Sequence, residues 1–165
     1  MWNEFLKISL HDPIIQFAFL AVIILIFGFR TEARRRRLLE QFAIARGYTF
    51  QRVLGPEALG LSEADFFDPW DRVTNAVSGN LDGVQFTLFD HKAKRANHRR
   101  FSQTIVAFTI APTASFRPTT LGSYGFQMEK TANLVFFWQE ERAVALDDVD
   151  PFLHSALNIF QQATS

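Results

Sequence analysis

Residues 73–91, VTNAVSGNLDGVQFTLFDH, decide the fold. Two extended runs meet at Asp82-Gly83, a pair favoured in two-residue type I′ turns because both central residues there need positive φ. In the second run Val84, Phe86 and Leu88 share one face while Gln85, Thr87 and Phe89 share the other, since successive strand side chains point to opposite sides. An antiparallel hairpin is the expectation.

Downstream, KAKRANHRR (92–100) reads as a basic connection, and SQTIVAFTI (102–110) as a further strand with Val106, Phe108 and Ile110 on one side. Pro112 to Gly125 is rich in Pro, Thr, Ser and Gly and reads as loop. Tyr124 to Met128 reads as an edge strand. LVFFW (134–138) is apolar on both faces, as a strand covered from both sides requires. In DDVDPFLHSALNIFQQATS (147–165), Val149, Phe152, Leu153, Ala156, Leu157 and Phe160 keep helical spacing. Acidic residues crowd the N-terminal end of that helix, where the dipole favours them.

Upstream of the hairpin, Gly55 to Trp70 lacks periodicity and suggests a loop with one short helix near Glu57 to Leu61. Tyr48 to Val53 reads as a short strand. Gly47 is a natural stop for a helix whose Leu38, Leu39, Phe42, Ala43 and Ala45 form an apolar stripe. The domain is therefore α+β: a mainly antiparallel sheet with a C-terminal amphipathic helix over one face.

Further upstream, Pro13 to Phe29 (PIIQFAFLAVIILIFGF) contains no charge, and Arg30, Arg34, Arg35, Arg36 and Arg37 follow at once. Its 17 residues span roughly 25 Å as a helix, close to a hydrocarbon core of about 30 Å. Asp12 and Pro13 suit a helix start, and Trp2 suits an interfacial anchor. The segment before the run holds Lys7 against Glu4 and Asp12; from Arg30 to Arg46 six arginines face two glutamates. A cleaved signal peptide carries its positive charge in front and a small-residue cleavage site behind, the reverse of this arrangement. The positive-inside rule predicts an extracytoplasmic N-terminus and a cytoplasmic C-terminal domain. The expected organisation is a short outer segment (1–12), a transmembrane helix (13–29), a cytoplasmic helical extension (30–47) and an α+β domain (48–165). The corresponding location is the cytoplasmic (inner) membrane, in a single pass.

The 165 residues include 19 phenylalanines and no cysteine, and the formal net charge is zero. Absent cysteines remove disulfides, thiolate metal sites and cysteine nucleophiles, and suit a reducing compartment. The phenylalanines call for an aromatic-rich core or contact surface.

The order RRRR–LLEQFAIARGYTF, VTNAVSGNLDGVQFTLFDH, a basic connection, QTIVAFTI and LVFFWQEERAV before a final helix resembles a family of uncharacterised bacterial membrane proteins. Ser78 to Asp90, S-G-x-L-D-G-V-x-F-x-L-F-D, is the most specific part. The resemblance implies one N-terminal transmembrane helix and a small cytoplasmic α+β domain. It brings no activity, cofactor or catalytic residue. That family's pattern often has a Gly/Ser-rich turn where this chain has Lys92 to Asn97, so the basic character here belongs to this chain or its close relatives.

Two groups of residues are candidates for binding. Lys92, Lys94, Arg95, Arg99 and Arg100, together with Arg34, Arg35, Arg36 and Arg37, suit anionic headgroups or an acidic partner; the plainer reading is a solvated hairpin connection and a topological signal. Nucleic acid is disfavoured because no aromatic residues interleave the basic ones. Phe66, Phe67 and Trp70, in FFDPWD, suit docking to another subunit or packing into the core. The four histidines are scattered and read as ordinary surface residues. Asp147, Asp148 and Asp150 lack the glycine and glutamate of a calcium loop and read as helix-capping acids. No catalytic constellation, metal or cofactor is expected. The functional expectation is a non-catalytic, membrane-anchored accessory subunit or scaffold that docks on an integral-membrane assembly, photosynthetic and respiratory complexes being hosts of that class. The competing expectations are a module for anionic lipid or a phosphate ligand, and an enzyme of unrecognised type.

Overall fold

A computed structural model describes residues 13–68, 71–94, 100–117, 125–139 and 143–164. The chain divides into two compact units, Met1–Arg37 and Leu38–Ser165. Helix α1 (Pro13–Arg46) begins in the first and ends in the second. Within the first unit its apolar side chains lie open: Ile14, Phe17 and Phe29 are 76%, 71% and 70% exposed. The helix is long and apolar enough to cross a membrane.

The second unit opens with the last turns of α1, where Leu39 and Ala43, four residues apart on one face, are fully buried. Gly47, at φ 71°, ends the helix. Its N–H donates to the Ile44 carbonyl at 3.2 Å and the Tyr48 N–H donates to the Ala43 carbonyl at 2.8 Å, the paired bonds of a Schellman stop. The Tyr48 ring then packs on Phe42, the accompanying apolar contact.

Six strands follow: β1 (Thr49–Leu54), β2 (Arg72–Leu81), β3 (Val84–Lys94), β4 (Arg100–Thr109), β5 (Phe126–Lys130) and β6 (Leu134–Gln139). They form one antiparallel sheet in the order β1-β2-β3-β4-β6-β5. The β2–β3 turn has φ 51° at Asp82 and 83° at Gly83, as the type I′ reading requires. Asn80 Oδ1 accepts the Gly83 N–H at 2.9 Å and fastens it. Helix α2 (Val149–Thr164) closes the chain.

The sheet has a core on each face. On one side Val77, Leu88, Val106, Phe108, Val135 and Phe137 pack with α2 and with Leu39 and Ala43. On the other, Phe89, Ile105, Ala107, Phe136 and Trp138 pack beneath Leu59, Leu61 and Ala64. LVFFW contributes to both, as expected of a strand covered on two sides. The covering layer of the second face is two 3₁₀ turns, Pro56–Leu59 and Leu61–Glu63, where the sequence suggested one short helix. The Glu129 carboxylate on β5 pins the segment that follows, accepting the backbone N–H groups of Asp65 and Phe66.

Gly79 sits under the Tyr48 ring, and a Cβ there would lie 2.3 Å from Tyr48 Cδ1. The aromatic ring covers a gap in the strand, then meets Phe86 edge-on at 5.0 Å. Gly79→Ala is expected to destabilise the domain by about 1–3 kcal/mol through overpacking. Urea unfolding followed by tryptophan fluorescence checks this.

Two expectations need correction. The ends of the basic stretch are strand and not loop: β3 continues through Lys94 and β4 starts at Arg100, paired directly with Lys94, while residues 95–99 lie outside the described residues. His91, in that segment, is not a surface residue but is 1% exposed. Strand pairing supplies the reason. Continued into His91, the β3 alternation puts the ring on the same inward face as Phe89.

Candidate functional site

The described chemistry gathers in two places, one in each unit. In the first unit, Arg30, Arg34 and Arg37 are exposed along α1, while Arg35 and Arg36 are partly buried. Helical continuity from Phe29 sets these charges within one to two turns of the open apolar surface.

In the second unit the β2–β3–β4 end of the sheet carries polar groups on both faces. Toward α2, Asp90 is buried and accepts hydrogen bonds from Asn75 Nδ2 at 2.9 Å and Thr104 Oγ1 at 3.2 Å. Thr104 Oγ1 in turn accepts the Val144 N–H at 3.0 Å. Asn75 reaches the carboxylate because β2 bulges between Thr74 and Val77, with φ 55° at Asn75. Asparagine tolerates this left-handed backbone better than most residues.

On the opposite face, His91 Nε2 lies 2.8 Å from Asp71 Oδ2 and His91 Nδ1 lies 3.2 Å from Gln103 Nε2. The Asp68 N–H donates to the same Asp71 oxygen at 3.0 Å. With the Gln103 amide donating to Nδ1, the ring is the neutral tautomer whose Nε2–H donates to Asp71. Phe66 and Phe67 hold the imidazole, each ring centroid 5.5 Å from it. Phe66 also contacts Phe136 and Trp138. Both imidazole nitrogens are occupied and the ring is buried, so the pair ties Asp71, and through it the Asp68 backbone, to the sheet.

Burial pushes the His91 pKa below its ordinary value of 6.5, outweighing the upward pull of its hydrogen bond and charge attraction to Asp71. The unfolded chain therefore binds this proton more readily than the folded one. The stability owed to neutral His91 is complete above the unfolded pKa and is lost as pH falls through the lower folded pKa. Denaturation of the full chain in detergent micelles, between about pH 7.5 and about pH 5.5, is expected to show falling stability in the wild type. His91→Gln removes the titrating group and is expected to give a shallower slope.

The candidate binding residues divide as follows. Phe66 and Phe67 are half-buried against the second core; Trp70 lies outside the described residues. Lys92 is half-buried on β3 and pairs in register with Arg72 and Ser102. The backbones of Lys94 and Arg100 pair in register at the end of β3 and the start of β4, and Arg95 and Arg99 lie outside the described residues. By alternation Lys92, and Arg72 opposite it in register, belong to the Asp90 side of the sheet, so the register adds Arg72 to the basic set. A groove of about 340 Å³ is lined by Phe126, Val144, Pro151 and Phe152 with Gln139, Asp148 and Ser155. Asp148 is the only ionisable group among the described residues that line it. Among the described residues no cluster of three or more His, Asp or Glu is placed to hold a metal ion. No protein family, curated protein or solved structure matches the chain. Its own residues therefore carry the functional reading.

Proposed function

We propose that the chain is a single-pass, membrane-anchored accessory subunit or scaffold that docks its folded domain onto a larger membrane assembly without performing chemistry of its own. The observation that carries this reading is the open apolar surface of α1. Phe17, Phe19, Leu20, Ile24, Leu25 and Phe29 are each more than half exposed. A helix that is apolar all round needs a hydrocarbon or protein environment to cover it. The arginines from Arg30 onward favour the cytoplasm for the following domain, because positive charge resists translocation.

The half-buried Phe66 and Phe67 support docking. Their contacts with His91, Phe136 and Trp138 preorganise the segment, and their remaining exposed area is available to a partner at little ordering cost. Purification of the full chain from its own membranes in mild detergent is expected to bring down a stoichiometric integral-membrane partner. A chain that consistently migrates alone contradicts the accessory-subunit reading.

A further inference from the structure

Arg30, Arg34 and Arg37 form a stripe. At about 100° per residue they fall within a sector about 60° wide, over about 10 Å of helix. All three are exposed. Glu32 lies on the other side of the helix, three and four residues from Arg35 and Arg36, the spacing at which helical charges pair. The next acid in the chain, Glu40, comes three residues after Arg37. One turn ahead of Arg30, on the same side, Ile26 is 46% exposed, and Phe29 beside it is 70% exposed. One flank of the helix thus passes directly from open apolar surface to three guanidinium groups.

We infer that this flank binds an anionic phospholipid, with Arg30, Arg34 and Arg37 on the phosphodiester headgroup and Ile26 and Phe29 against the acyl chains. The inference rests on the proposed membrane span and names the ligand class of its basic end. Guanidinium groups match phosphate oxygens in bidentate geometry. An acidic protein surface would satisfy the arginines alone. A lipid satisfies both halves of the stripe, because it carries the phosphate and the hydrocarbon in one molecule.

The test uses the full chain in nanodiscs of mixed phosphatidylcholine and phosphatidylglycerol, with native mass spectrometry to count the lipids retained. The wild type is expected to retain phosphatidylglycerol in preference to phosphatidylcholine. R30Q/R34Q is expected to lower that preference by about 25-fold, or about fivefold per arginine. R35Q/R36Q removes the same charge from the other side, where Glu32 offsets part of it, and leaves the site's guanidinium contacts in place, so it is expected to lower the preference by clearly less, no more than about fivefold. Equal losses in the two double variants, or no preference in the wild type, overturn the site while leaving the span intact. Loss of the preference on adding inorganic phosphate, with the chain still inserted, overturns the commitment to lipid. Failure to enter nanodiscs of either composition overturns the span and the site with it.

Discussion

Alanine at Phe108 is expected to cost the domain about 3–5 kcal/mol, enough to remove most of the stability of a small fold. Phe108 is completely buried where β4 meets α2. Its ring lies 5.9 Å from Phe137 and 5.0 Å from Phe160, so it joins two strands and the closing helix in one aromatic cluster. Truncation removes the transfer free energy of the ring and leaves a cavity that β-sheet backbone on one side and a helix on the other can close only in part. Urea denaturation of the full chain in micelles, read by tryptophan fluorescence, measures the loss. Val53→Ala is the control: Val53 is 69% exposed on edge strand β1, and its truncation is expected to change stability by no more than about 0.5 kcal/mol. Equal effects at the two positions contradict the core assignment.

Asp71→Ala has the second largest expected effect, about 3 kcal/mol from two charge-assisted hydrogen bonds at about 1.5 kcal/mol each. The substitution leaves the buried His91 Nε2–H and the Asp68 N–H without the oxygen they share. Asp71→Asn keeps one acceptor oxygen and is expected to lose roughly half as much. A second readout separates this from a packing defect. Asp71 pulls the His91 pKa upward against burial, so removing it is expected to push that pKa lower still. An NMR titration of the His91 ring protons checks the direction; an upward movement contradicts the role given to Asp71.

The hairpin about Asp82-Gly83, the double-faced LVFFW strand and the amphipathic C-terminal helix were all legible, because each is written in local periodicity or turn chemistry. The polar arrays were not. Lys92, Lys94, Arg95, Arg99 and Arg100 make the 91–100 stretch look like a solvated connection when judged by charge. Strand pairing with 100–109 instead holds β3 extended through Lys94. The alternation Phe89–His91 was the available signal, yet the ring's partners, Asp71 and Gln103, are 20 and 12 residues away in sequence. The bulge at Asn75 was equally hidden, since the need for it arises from Asp90 across the β2–β3 pair. The layer over the second face, built from 3₁₀ turns, has no long period to read.

The central claim is that α1 crosses the membrane once and delivers the following domain to the cytoplasm. The chain has no cysteine, so single cysteines placed at Ser9 and Ser165 label against a silent background. With intact cells and a membrane-impermeant maleimide, the account predicts labelling of Ser9→Cys at once and of Ser165→Cys only after permeabilisation. Labelling of Ser165→Cys in intact cells, or of neither site until the cells are opened, contradicts it.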